Sequence, residues 1–231
     1  MPVASAWRPA LFVDGYGPVG LGPTPQDPTL ADPDQSRLAT VGLQQSDLPT
    51  SLTVALGTDG TSLEGASLSY CDGTFASESA RIARRHTVVK PDGTVPAVAS
   101  EAVYYKTVQD AATGLSELRG AASACPSHRV VTDGTVQLAF DVVADDGVDL
   151  TGLAPADRRV VIATDVTPQS GTTAAYRLVR VWQQRGRVLV GVFYSAGSTT
   201  FTDDDRANLH LLTAGAAGRL DALPTSFTGT A

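Results

Sequence analysis

The sequence predicts an α+β fold in which an antiparallel β-sheet is packed by helices. Short apolar stretches are separated by turn residues, which is typical of strands joined in hairpins. Two longer stretches repeat apolar residues every three or four positions, which indicates amphipathic helices. The order strand, strand, helix occurs twice, near residues 86–125 and near residues 175–223. We therefore expect two β-β-α-like halves that share one sheet.

The N-terminal 36 residues are expected to form an irregular extension. They contain half of the 14 prolines, and glycines stand between them at positions 15, 17, 20 and 22. Both residue types interrupt regular elements, so only residues 10–13 are predicted to form a short strand. We expect residues 1–36 to be an extended arm and residues 37–231 to form a single α+β domain.

In the first half of this domain, strands are predicted over residues 51–56, 86–90 and 98–106. The last two are expected to form a hairpin, because Pro-Asp-Gly lies between them. A short helix is predicted over residues 77–85, with Ser77 as its N-cap.

The middle helix is predicted to begin after Thr107, where Asp110 completes a capping box. Pro126 marks its end. Its apolar residues recur at helical spacing and are expected to share one buried face: Val108, Ala111, Leu115, Leu118, Ala122 and Cys125.

The second half is predicted to contain four strands, over residues 136–142, 158–164, 174–183 and 187–194. A three-residue turn, Gln184-Arg185-Gly186, is expected to join the last two. A final helix follows Thr202, with three aspartates in its first turn, where the helix dipole favours negative charge. Its buried stripe is expected to be Leu209, Leu212, Ala216, Leu220 and Leu223.

The two cysteines, Cys71 and Cys125, each end a segment that is expected to face the core. Cys71 closes the apolar stretch that begins at Ala66, and Cys125 closes the middle helix. An even pair in such positions predicts a disulfide and therefore an oxidising compartment. We expect the protein to be extracellular or located in the cell envelope, either secreted or lipid-anchored.

Composition excludes several classes of protein. The net charge of −7 argues against a nucleic-acid partner, and no apolar run approaches the roughly 18 residues that span a bilayer. The start of the chain does not resemble a signal peptide, so we expect that a leader, which could carry a lipid anchor, has been removed. The 15 arginines against two lysines indicate a GC-rich genome.

No motif for catalysis, nucleotide binding or metal binding is present, and we expect no cofactor, no metal and no enzymatic activity. His86, His128 and His210 lack the spacing of metal ligands. A hydrolase remains an alternative, and it requires one of these histidines within hydrogen-bond reach of a serine in a pocket.

A ligand cleft is predicted on the sheet face that helices leave uncovered. Its candidate lining is Tyr105, Trp182 and Tyr194, and Arg84 and Arg85 are candidate anchors for an anionic group. The expected ligand is a small molecule, a lipid or a glycan. The alternative is a cell-envelope protein-interaction module that uses a sheet edge or the proline-rich arm. The oligomeric state stays open.

Three segments resemble a known family. They are Asp47-Leu48-Pro49, the sixteen residues from Tyr70 to Arg85, and the stretch from Ser100 to Pro126 with its Tyr104-Tyr105 and Ala124-Cys125-Pro126. They resemble the extracellular sensor domain of PknH-type Ser/Thr kinases and related actinobacterial exported lipoproteins. The likeness extends over about residues 37–224. It implies an α+β extracytoplasmic domain, a Cys71–Cys125 bridge, and a non-enzymatic sensing or binding role for a cleft whose ligand is unidentified.

Overall fold

The computed structural model describes residues 31–49, 52–57, 60–90, 97–133, 136–143, 148–169 and 175–230. The strand predicted at residues 10–13 lies outside the described residues. The regular elements are β1 (Thr53–Leu56), β2 (Arg81–Lys90), β3 (Ala97–Tyr105), β4 (His128–Asp133), β5 (Val136–Val143), β6 (Arg159–Pro168), β7 (Tyr176–Arg185), β8 (Val188–Ser195), and the helices α1 (Pro33–Val41), α2 (Val108–Ala124), α3 (Asp203–Asp221) and α4 (Thr225–Thr228).

The described strands form one eight-stranded sheet in the order β1-β2-β3-β8-β7-β6-β5-β4. Every neighbouring pair is antiparallel. The two halves of the chain meet where β3 pairs with β8, from Ala97 opposite Ser195 to Tyr104 opposite Val188. The α+β fold and the two β-β-α units, β2-β3-α2 and β7-β8-α3, are therefore confirmed.

Helices lie on both faces of the sheet. On one face, α1 and α3 bury a core with strand residues such as Val181 and Tyr194. On the opposite face, α2 packs with the segment around Leu68 against a second core that contains Tyr105 and Trp182. The sequence-based expectation of one uncovered sheet face is therefore wrong for the central strands.

The two long helices begin as the sequence predicts. Thr107 and Asp110 form a reciprocal capping box at α2, and Thr202 and Asp205 form another at α3. Each box satisfies backbone N–H groups that have no partner within the helix. The buried stripe predicted for α3 is confirmed for Leu209, Leu212, Ala216 and Leu220, and Leu223 is buried just beyond the end of the helix. In α2, Ala111, Leu115 and Leu118 are buried, whereas Val108 is exposed.

Helix α1 was not predicted, although its sequence carries two start signals. The Asp32 side chain accepts hydrogen bonds from the N–H groups of Asp34 and Gln35, and Pro33 occupies the first turn, where its missing N–H costs nothing. Leu38 and Val41 bury the inner face of the helix. The folded part that the structure describes thus includes residues that precede position 37.

The helix predicted over residues 77–85 is wrong. Only Ala76–Ala80 forms a short 3-10 turn, and strand β2 starts at Arg81. Ser77 does not cap a helix; its N–H and hydroxyl donate to the Glu117 carboxylate. Pairing with β3 overrides the local helical spacing, because it adds a ladder of hydrogen bonds and buries alternate side chains.

The C-terminal helix α4 is held by a stack of four side chains. Phe227 lies on Tyr104 with their ring centroids 4.2 Å apart. The Arg37 guanidinium covers the other side of Phe227, and the Arg187 guanidinium lies 4.7 Å from the centroid of Tyr104. Arg187 also donates to the Phe227 carbonyl. Four distant parts of the chain therefore meet at one stack.

Candidate functional site

The structure does not bring the predicted cleft residues together. Tyr105 and Trp182 lie under α2 and are 0% and 1% exposed. Tyr194 lies on the opposite face, where its hydroxyl donates to Asp205 of α3 at 2.9 Å. These three aromatic side chains are parts of two separate cores, so they do not line a common cleft.

The position of Tyr194 follows from the turn between β7 and β8. The sequence predicts three residues in this turn, whereas the structure pairs Arg185 directly with Val188 and leaves only Gly186 and Arg187 between them. Gly186 has φ +55°, which a glycine adopts without strain. This change shifts the register by an odd number of residues and moves Tyr194 to the face opposite Trp182.

The two candidate anchor arginines point to opposite faces of β2. Arg84 is buried and donates to both carboxylate oxygens of Glu101, at 2.7 and 3.1 Å. It also donates to the carbonyl of Ser62, which holds the loop before β2. Arg85 alternates to the other face and is half-buried. Arg84 therefore acts as an internal link in the fold.

The histidines occupy different environments. His128 and His210 contact carboxylates at the surface: His128 lies 2.7 Å from Asp141, and His210 lies 3.5 Å from Asp149. His86 is buried, and its burial lowers its pKa. Among the described residues, no three or more His, Cys, Asp or Glu side chains are arranged to hold a metal ion.

The predicted disulfide between Cys71 and Cys125 is confirmed, with a Cα–Cα distance of 5.7 Å. It joins the loop before β2 to the C-terminal end of α2. Tyr70, which precedes the first cysteine, is 3% exposed and lies beside the floor of a surface groove.

This groove runs between the C-terminal half of α2 and strand β6, and we call it the α2–β6 groove. Its volume is about 340 Å³, near the lower end of the range of small-molecule sites. Its apolar lining includes Ala122, Val142, Val160 and Ile162, and its polar lining includes Tyr70, Arg119, Ser123 and Arg159. The described pairing of β5 with β6 extends to Val143 opposite Ala163, and the groove lies beside this end of it.

Two arginines are held at the groove by main-chain carbonyls. Nη2 of Arg119 donates to the carbonyls of Ala156, Asp157 and Arg159, at 3.2 to 3.3 Å. Nη1 of Arg159 donates to the carbonyl of Ala154 at 2.6 Å. Within the described part of the chain, neither guanidinium forms an ion pair.

A third arginine lies deeper on the same face of the sheet. Arg180 of β7 is 3% exposed, and its guanidinium lies 5.4 Å from the centroid of the Tyr70 ring. Burial lowers the pKa of Arg180 to about 9. Its neighbour Tyr70 also lines the groove.

Sequence reasoning missed this groove. Arg119 follows the predicted apolar face of α2, and Arg159 belongs to a predicted strand, so each element was identified without the groove between them. Forty positions separate the two side chains in the sequence. Their proximity depends on how α2 crosses β6, which no local pattern encodes.

Among solved structures, the chain is similar to the extracellular domain of PknH from Mycobacterium tuberculosis. The TM-score is 0.48 and the sequence identity is 16%, and the match covers 80% of this chain and 94% of that chain. No protein-family model matches the chain, and no curated protein matches it. In the described ranges, no helix is both long and apolar enough to cross a membrane.

Proposed function

We propose that this chain is an exported, non-enzymatic binding domain of sensor type, and that its ligand occupies the α2–β6 groove. Export is supported by the Cys71–Cys125 disulfide, because structural disulfides persist in oxidising compartments. The proposal includes a location outside the cytoplasm, either secreted or lipid-anchored in the cell envelope, as expected from the sequence.

The observation that carries the binding role is the lining of the groove. Several apolar side chains form a floor on a rigid sheet, and a few polar groups stand at its margin. That combination is typical of small-molecule sites, in which apolar area supplies affinity and a few polar groups fix the orientation of the ligand. The disulfide keeps Tyr70 and the end of α2 at this place.

A variant that fills the groove tests the proposal. Ala122 lines the groove, so Ala122→Trp should occupy it, whereas Ala124→Trp on the exposed side of the same helix is the matched control. Each protein would be secreted from a bacterial host and analysed by native mass spectrometry for co-purifying small molecules. We expect adducts on the parent chain and on the control, and none on the groove variant. Equal adducts on all three proteins, or none on any, would contradict the proposal.

One observation favours the alternative of a protein-interaction module. Strand β4 is at the end of the sheet, and Val130 within it is 52% exposed. An edge strand presents unpaired backbone groups that can pair with another chain. If this edge is the functional surface, Val130→Asp will abolish capture of an envelope protein, and Ala122→Trp will not affect it.

A further inference from the structure

We propose that the α2–β6 groove selects a single-chain anionic amphiphile: a carboxylate or phosphate head bound by Arg119 and Arg159, with a short alkyl chain along the apolar floor. This inference rests on the proposed function and names the chemical class of its ligand. It depends on three features of the site, which are its charge, its available donors and its apolar floor.

The charge of the groove is opposite to that of the chain. The protein has a net charge of −7, yet the charged side chains among the described residues that line the groove are two arginines, with no Asp or Glu. The guanidinium of buried Arg180 lies 5.4 Å from the centroid of Tyr70, which also lines the groove. In a partly enclosed site, such an arrangement attracts anions and disfavours cations.

Main-chain carbonyls hold both arginines in position, and each guanidinium has N–H donors that the described hydrogen bonds do not use. The described hydrogen bonds of Arg119 all use Nη2, and that of Arg159 uses Nη1. A guanidinium has five N–H donors, so both side chains can bind an anion without losing these bonds. Their attachment to carbonyls also reduces the entropy lost when a ligand binds. Planar guanidinium groups match the oxygens of a carboxylate or a phosphate.

The apolar part of the ligand is inferred from the floor. Val142, Val160 and Ile162 lie on the sheet, and Ala122 faces them from α2. A purely polar anion would leave this apolar surface without a partner. A volume of about 340 Å³ suits a chain of roughly ten carbons with a small head, if each heavy atom takes about the 30 Å³ that a water molecule occupies in the liquid.

Four probes of equal chain length separate the possibilities in isothermal titration calorimetry. Decanoate and decyl phosphate carry the two kinds of anionic head, 1-decanol is neutral, and decyltrimethylammonium is cationic. We expect one or both anions to bind and the cation not to bind. Decanoate alone would assign a fatty carboxylate as the natural head, and decyl phosphate alone would assign a phosphate.

The variants Arg119→Gln and Arg159→Gln should each weaken anion binding by about tenfold or more, since each removes a charge-assisted contact. Arg158→Gln is the matched control, because Arg158 is exposed beside Arg159 and does not line the groove. It should retain the affinity of the parent chain. Thermal unfolding of each ligand-free variant identifies any loss caused by misfolding.

Two results would overturn the assignment. One is equal affinity for 1-decanol and the anions with no effect of either glutamine variant; if Ala122→Trp still abolishes binding, the groove remains a binding site and only the anionic class is wrong. The other is no binding of any probe, which rejects the amphiphile class. The proposed function is then judged separately, by whether the parent chain carries adducts that the groove variant lacks.

Discussion

The Arg84–Glu101 pair is the most deeply buried ion pair described, since both side chains are at most 5% exposed. We expect Glu101→Gln to lower the free energy of unfolding by about 3–5 kcal/mol, because it leaves the Arg84 charge buried without its carboxylate. Urea denaturation measures the change. Asp203→Asn, which breaks the exposed Arg206–Asp203 pair, is the control and should have a much smaller effect. Similar decreases in the free energy of unfolding of both variants would show that burial of the Arg84–Glu101 pair does not determine the effect.

His86 should make stability depend on pH. Burial lowers its pKa below the ordinary 6.5, the Arg84 charge lowers it further, and Glu101 partly opposes both. Between the lowered folded pKa and 6.5 the unfolded chain binds more protons, so the contribution of His86 is complete above about pH 6.5 and is lost as the pH falls. We expect denaturation midpoints to fall from pH 7 to pH 5.

The matched variants for this effect are His86→Gln and His128→Gln. The first should flatten the pH dependence over this range, because it removes the buried titrating group. The second makes the same substitution at an exposed histidine, so it shows what a change of residue type does outside the core. If the denaturation midpoints of the parent chain and of His86→Gln fall equally between pH 7 and pH 5, another group causes the pH dependence.

The sequence identified the caps of the two long helices and the disulfide, whereas Ser77 was wrongly assigned as a cap and Tyr194 was assigned to the wrong face. Thr107, Thr202 and the two cysteines were assigned correctly, because a cap or a disulfide depends on near neighbours or on a rare residue type. Tyr194 was assigned to the wrong face, because its orientation depends on counting two or three residues in one turn. One residue of error in a hairpin reverses every side chain beyond it.

Among the elements, α4 depends on one aromatic contact. Phe227→Ala should lower the free energy of unfolding by about 3 kcal/mol, because it removes a buried ring from between Tyr104 and Arg37. It should also expose the residues after Leu223 to proteases. Ser226→Ala, one position earlier and exposed, is the control. Retention of full stability in Phe227→Ala would mean that the stack does not hold the helix.

Helices with strong periodicity were predicted, whereas the start of β2, which is decided by tertiary pairing, was not. Helices α2 and α3 repeat apolar residues over four or five turns, so their buried faces are evident from the sequence. The arginines of residues 81–85 have a helical spacing, yet these residues form the start of β2. Pairing with β3 allows Arg84 to bind Glu101 on the neighbouring strand. Helix α4 has only four residues, too few for a periodic signal.

For the whole molecule, the disulfide is expected to supply a large share of stability. It closes a loop with a sequence separation of 54, and loss of that constraint should cost about 4 kcal/mol. The double variant Cys71→Ser/Cys125→Ser should lose this amount in urea denaturation. Dithiothreitol should destabilise the parent chain equally and should have no further effect on the variant. Two titratable thiols in the unreduced native protein would contradict the bond.

The fold class of the whole molecule could be predicted because the spacing of apolar residues in the sequence indicates the strand-strand-helix order. The groove could not be predicted, because it forms where α2 crosses β6. The relative placement of elements that are far apart in the sequence is not encoded in any local pattern. The net negative charge of the chain also gave no indication of a local cluster of arginines.

The pairing of β3 with β8 sets a temporal order on the assembly of the sheet. During synthesis or passage across a membrane, β8 emerges about ninety residues after β3. Until then, the edge of β3 that pairs with β8 has no partner strand. Both cysteines emerge well before β8, and oxidation can tether the loop before β2 to α2 while the second half is still arriving. If the disulfide forms early, the first half of the sheet is already stabilised when β7 and β8 emerge. If oxidation is delayed, the unpaired edge of β3 stays exposed for longer and can aggregate.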